Sequence, residues 1–173
     1  LYVSAEHAAA LWDVLLAKGE GAGLIPAGLG ARDSLRLEVG YALYGNDLDE
    51  EHTTLESGLG WVTKLDKGDF IGREAAAASH AAGPDRLLTA FTVDVDDADV
   101  IGNEPIWHNG EVVGWVTSGG YAHWSRASCA LGYVPTHLAD ADDDFEIEVV
   151  GVRRPANRIA EPLFDPTGSR MRS

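Results

Sequence analysis

Glu104-Pro105-Ile106-Trp107-His108-Asn109-Gly110-Glu111-Val112-Val113-Gly114-Trp115-Val116-Thr117-Ser118 is the stretch that decides the fold. Asn109-Gly110 at its centre is a hairpin signal, because both residues accept the positive φ of a two-residue turn. The apolar runs on either side predict its two strands. Further out, residues 86–94 alternate in part as a strand. Residues 127–134, 145–150 and 157–160 predict three more. Short strands joined by Gly, Pro and Asp turns point to a small antiparallel barrel or sandwich.

Upstream the character changes at Ala82-Gly83-Pro84-Asp85. Ser4 is placed to cap a helix running to about Lys18. Its stripe of Ala8, Leu11, Trp12, Leu15 and Leu16 has helical spacing and is expected to be buried. Residues 24–27 form an extended link. A second helix is predicted at about 31–39, where Leu35 and Val39 could share a buried face. Residues 44–54 read as an irregular loop. Gly58-Leu59-Gly60-Trp61 suggests a packing corner or backbone approaching something flat. An alanine-rich helix ends near His80. The order is therefore an α+β piece over about 1–82, then an all-β piece over about 85–173.

At 173 residues the chain can bury roughly two-thirds of the surface its unfolded form exposes. The net charge of −15 speaks against binding a nucleic-acid backbone or an anionic membrane. No apolar run approaches a membrane span and no signal peptide is visible, so the cytoplasm is the expected compartment. Lysine occurs only at 18, 64 and 67. Aspartate clusters at 94, 96, 97 and 99, and again at 140, 142, 143 and 144. This balance suggests a halophile, or else an acidic protein of a GC-rich genome. The chain does not open with Met, and Leu1-Tyr2-Val3 has the character of a strand already under way. A fragment of a longer polypeptide is expected.

Self-contained catalytic patterns fail one by one. A calcium loop starting at Asp94 needs Gly at 99 and Glu at 105, where the chain has Asp99 and Pro105. Gly28-Leu29-Gly30-Ala31-Arg32-Asp33 begins like a dinucleotide fingerprint but lacks the third glycine and the βαβ unit. The six histidines show no metal-ligand spacing. Ser118 lies outside any nucleophile-elbow pattern and is expected at a strand end or turn. Cys129, in an apolar run, reads as a buried structural thiol. Arg32 and Arg36 remain, four residues apart on one helical face. Such a pair implies an anion nearby, either surface carboxylates or a ligand.

Residues 28–38 (Gly-Leu-Gly-Ala-Arg-Asp-Ser-Leu-Arg-Leu-Glu), followed by Leu43-Tyr44-Gly45-Asn46-Asp47, closely resemble the aminomethyltransferase (glycine cleavage T-protein) family. Residues 55–61, 67–74 and Leu131-Gly132-Tyr133-Val134-Pro135 extend the likeness. The downstream half, from Trp107 to Tyr121 with Arg153-Arg154-Pro155-Ala156, residues 161–166 and Arg170-Met171-Arg172, is similar to the tail of the FAD-dependent dimethylglycine and sarcosine dehydrogenases.

The resemblance implies a three-lobed fold around a central folate channel, and an α+β fold class for this chain: a partial α/β lobe over 1–82, then a small C-terminal antiparallel β-barrel over 85–173. It also implies transfer of a one-carbon unit from an aminomethyl or N-methyl glycine donor to tetrahydrofolate. Arg32 then contacts substrate or folate, and Arg36 is left as a structural partner of a nearby carboxylate. Tyr44, Trp61 and Arg170 are further candidates for lining the channel, with packing or a surface ion pair as the competing reading. The family's essential aspartate and its folate-binding glutamate lie upstream of Leu1. The isolated chain is accordingly expected to lack catalysis, and folate and the small amine to bind through the missing N-terminal region. FAD would belong to the absent oxidase half. The other class that fits is a non-catalytic T-protein-like folate-binding or regulatory module. Retention of Arg32 and of the Leu-Tyr-Gly-Asn-Asp region favours the enzyme part.

Overall fold

A computed structural model describes residues 1–142 and 144–172; Asp143, of the second aspartate cluster, lies outside the described residues. The chain forms two compact units, Leu1–Arg32 and a second from Asp33 onward.

The first unit holds α1 (Ala5–Gly19) and a 3₁₀ turn, Glu20–Ala22. Ser4 occupies the N-cap position without a side-chain bond to the helix backbone; its hydroxyl lies 2.7 Å from His7 Nδ1. Gly23, at φ 77°, ends the 3₁₀ turn, and the Leu24 amide returns to the Gly19 carbonyl at 3.0 Å. No residue of α1 is buried, and Trp12, Val14 and Leu15 are exposed. Of the expected stripe, Leu11 and Leu16 are half-buried, while Ala8, Trp12 and Leu15 are exposed.

In the second unit the strands β1 (Arg86–Val93), β2 (Pro105–His108), β3 (Glu111–Ala122), β4 (Ala127–Pro135), β5 (Phe145–Val149) and β6 (Val152–Ile159) close a barrel. Its order is β1-β4-β3-β2-β5-β6, with β6 returning to β1, and every pairing is antiparallel. Closure leaves no strand edge open. Asn109 and Gly110 take φ of 51° and 81°, as the β2–β3 turn requires. The interior is filled by Phe91, Val93, Val100, Ile106, Val116, Ala130, Val134, Phe145, Ile147 and Val149. Phe91 meets Phe145 edge-on at 5.2 Å.

The second helix, α2 (Leu29–Glu38), ends where Gly40 enters the left-handed region at φ 68°. There the Tyr41 amide bonds the Arg36 carbonyl and the Gly40 amide the Leu37 carbonyl. The helix buries Leu37 and Glu38, while Leu35 is exposed, contrary to the expected Leu35–Val39 face. Leu37 belongs to a second cluster with Ala122, Cys129 and Leu131 on the outer wall of the barrel. The odd positions of β4 face outward there, so this wall demands an apolar cover. The third helix, α3 (Arg73–Ala82), is also flanked by glycines, Gly72 and Gly83. At the Gly58–Gly60 corner Gly58 takes φ 71°, and a Cβ on Gly60 would lie 2.8 Å from the tip of the Leu55 side chain.

Candidate functional site

The most tightly organised polar group joins α2, the 43–48 loop and β3. Arg36 leaves α2 with its side chain 11% exposed, facing the fully buried carboxylate of Asp47. Its Nη1 donates to Asp47 Oδ2 at 2.6 Å, Nη2 donates to Ser118 Oγ at 2.8 Å, and Nε lies 3.3 Å from Asp33 Oδ1. Asp47 Oδ2 also accepts from the Leu43 amide at 2.8 Å, and Oδ1 accepts from Thr117 Oγ1 at 2.5 Å. A buried charge persists only when it is paired and its lone pairs are filled, and both conditions hold here. Ser118 lies in the middle of a strand and is buried, rather than at a strand end or turn. Its hydroxyl is committed to Arg36, which fits no nucleophile.

Tyr133 extends the group from β4. Its hydroxyl donates to the Asp47 carbonyl at 2.8 Å and lies 3.0 Å from Ser57 Oγ. Burial holds the phenol above its ordinary value. His52 stacks on the Tyr133 ring at 4.1 Å, Trp115 lies beyond at 5.9 Å from Tyr133, and the Arg86 guanidinium sits 5.2 Å over Trp115. His52 Nδ1 is 2.7 Å from Asp49 Oδ1. That hydrogen bond holds the Asp49 carboxyl below the usual carboxylate value.

A second tie holds the end of α2. The buried Glu38 accepts from the Ser125 amide at 2.7 Å, and its carbonyl accepts from the Phe164 amide at 2.9 Å. The C-terminal segment follows: Arg170 lies over the rings of Phe164 and Trp124 at 5.0 and 5.8 Å. Asp165 accepts from the Ser169 and Arg170 amides, and Tyr41 donates to Met171 Sδ at 2.9 Å. A groove of 670 Å³, lined in part by Leu37, Leu48, Leu59, Leu88 and Arg158, separates the loops from the barrel wall.

The four sequence-derived candidates occupy distinct places. Arg32 is exposed on α2, one turn before Arg36. Tyr44 is 67% exposed on the 43–48 loop and Trp61 70% exposed in the 3₁₀ turn Gly60–Val62. Arg170 stacks on aromatic rings. None of the four lines the groove. The reading of Arg36 as a carboxylate's partner holds, with Asp47 as that carboxylate. Thr117, Ser118, Tyr133 and His52 were not foreseen as members of this group. Among the described residues no three His, Cys, Asp or Glu side chains gather as a metal-binding group, and no helix is long and apolar enough to cross a membrane.

Cation, carboxylate and hydroxyls thus bond to one another against the wall of a closed barrel. Family models agree with that architecture. The GCVT N-terminal domain matches residues 1–67, and the glycine cleavage T-protein C-terminal barrel domain matches residues 86–165. The chain belongs to the glycine cleavage T-protein family.

Among its relatives, an aminomethyltransferase of Symbiobacterium thermophilum is 40% identical over 95% of this chain and 44% of its own length. The mitochondrial dimethylglycine dehydrogenase of Homo sapiens is 38% identical over 99% of this chain and 20% of its own length. The crystal structure of glycine cleavage system aminomethyltransferase T from Bartonella henselae superposes with a TM-score of 0.79 at 30% identity. It covers 92% of this chain and 44% of that one. The chain thus spans less than half the length of these relatives.

Proposed function

We propose that the chain is the C-terminal section of a tetrahydrofolate-dependent aminomethyltransferase, of the kind that forms the tail of a dimethylglycine or sarcosine oxidase. The whole protein would pass a one-carbon unit from an aminomethyl or N-methyl glycine donor to tetrahydrofolate. The observation that carries this reading is the likeness to the human dimethylglycine dehydrogenase along 99% of the chain, together with the barrel-domain match. The amine site and, in the oxidase form, FAD belong to the part of the protein outside this chain. The cytoplasm is the proposed compartment. No nucleic acid or membrane partner is proposed for so acidic a chain.

The residues present suit folate. Its glutamate carboxylate matches a guanidinium, and its pterin and aminobenzoyl rings match aromatic faces. Arg36 holds Asp47 and Ser118; Arg32 stands at the position that the family resemblance assigns to substrate or folate contact, and takes the ligand role. Tyr44, Trp61 and Arg170 supply further ring and cation contacts. Folate, when bound, supplies the acceptor nitrogen; these side chains hold and orient it.

Calorimetry with 5-formyltetrahydrofolate, a stable reduced folate, tests the reading on the full-length protein. Arg32→Ala is expected to weaken binding roughly 10- to 100-fold, the worth of a charge-assisted hydrogen bond. Unchanged affinity would remove Arg32 from the site.

A further inference from the structure

We propose that Asp47 is a positioning residue, which fixes the 43–48 loop so that Tyr44 is presented to the folate channel. This rests on the folate reading above and extends it to residues that touch no ligand. The loop has little apolar cover of its own: Tyr44, Gly45 and Asn46 are all exposed. Its shape is set instead by polar bonds that converge on one residue. The Asp47 amide donates to the Leu43 carbonyl, its carboxylate accepts from the Leu43 amide, and the Gly45 amide reaches the Leu48 carbonyl at 2.7 Å. The loop is therefore closed on itself through Asp47.

The same residue anchors the loop to rigid elements on two sides. Arg36 holds it from α2 and Tyr133 from β4. The third anchor is a β-bulge. Pairing between β3 and β4 shifts register between Val116 and Ser118, so Thr117 is an extra residue. A regular strand sends consecutive side chains to opposite faces. Here Val116 lies in the barrel core, yet Thr117 and Ser118 both point to the outer wall, toward Asp47 and Arg36. A Cβ on Gly119 would again meet core residue Val100, at 2.6 Å. The bulge thus turns two adjacent hydroxyls onto one buried ion pair, a recognised way of re-aiming side chains.

The test is made on the full-length protein. Variants of Asp47 itself would strand a buried guanidinium and threaten the fold, so Thr117→Val serves as the probe and Thr117→Ser as its rescue. Amide hydrogen exchange of residues 43–48, without ligand, is expected to quicken at least about 10-fold in Thr117→Val and to return in Thr117→Ser. Affinity for 5-formyltetrahydrofolate is expected to fall about 5- to 10-fold in Thr117→Val. The double variant Thr117→Val/Tyr44→Ala should bind no more weakly than Tyr44→Ala alone, because the anchor acts through that ring. Unchanged exchange, or losses that simply add, would overturn the positioning role while leaving the folate reading intact. Wild-type affinity in Tyr44→Ala would overturn the folate role of Tyr44, and the positioning role with it. A Thr117→Ser variant as loose as Thr117→Val would also overturn the proposal, since the hydroxyl would not be the anchor.

Discussion

Burial of Cys129 on the outer wall of β4 pushes its thiol up to about 11, and the nearby Glu38 carboxylate adds to the rise. At pH 8 such a group is on the order of one-thousandth thiolate, against roughly a quarter for a free cysteine. A dithiobis-nitrobenzoate assay at pH 8 should find the native protein at least about 100-fold slower than the guanidinium-unfolded chain; equal rates would mean that the β4 wall is open. The sign for stability follows. The folded state keeps this proton over a range where the unfolded chain gives it up, so Cys129 lowers stability as pH climbs from about 9 toward 11. Denaturation across that range should show a decline that Cys129→Ala reduces. The burial of Cys129 was legible from the apolar residues around it. The partnership of Arg36 and Asp47 was half legible: a carboxylate was expected, but the two hydroxyls were not. Period-two reading puts Thr117 and Ser118 on opposite faces, and nothing local in the sequence announces a bulge.

Among the elements, the hairpin centred on Asn109-Gly110 was the clearest, because turn chemistry is written in two adjacent residues. The β5–β6 turn was missed for the converse reason. Residues 145–150 read as an unbroken strand, yet β5 stops at Val149, and Val150 and Gly151 turn the chain at φ 50° and 75°. Positive φ is uncommon for a β-branched residue, so valine gives no warning of a turn. Glycine at 151 tolerates the geometry; Val150 is forced into it by the pairing of Val149 with Val152. Since Val150 is 86% exposed, it contributes little packing in return. Val150→Asn should therefore stabilise the barrel by about 1 kcal/mol, replacing an adverse turn residue with a favoured one. Thermal or urea denaturation would read this as a rise of roughly 2–4 °C. A loss of stability would show that the valine side chain has a contact worth more than the relieved backbone. α1 shows the other limit of sequence reading. Its apolar spacing was plain, but spacing specifies a face and not whether a partner is at hand to cover it.

On the scale of the whole molecule, charge is the dominant unmet cost. Twenty-eight acidic residues face 13 basic ones, and several of the basic ones are already engaged: Arg154 with Asp97, Arg158 with Asp140, Arg36 with Asp47. Asp94, Asp96 and Asp99 stand exposed on the loop that carries Asp97. The pairs of Arg154 and Arg158 reach exposed carboxylates and contribute little each, so they do not cancel the net repulsion. Repulsion acts over the Debye length, about 10 Å at 0.1 M salt and about 3 Å at 1 M. Raising potassium chloride from 0.1 to 1 M should thus restore stability that self-repulsion removes, by about 2 kcal/mol or roughly 4–8 °C in Tm. Salt also strengthens apolar burial at high concentration, so the two causes must be separated. The triple variant Asp94→Asn/Asp96→Asn/Asp99→Asn removes charge but keeps the apolar surface. Its Tm should be higher at 0.1 M and should gain less from added salt. A wild-type Tm that does not move with salt would refute self-repulsion as the dominant cost, and with it the reading of this composition as one shaped by a high-salt interior. Equal gains in wild type and variant would assign the effect to apolar burial instead.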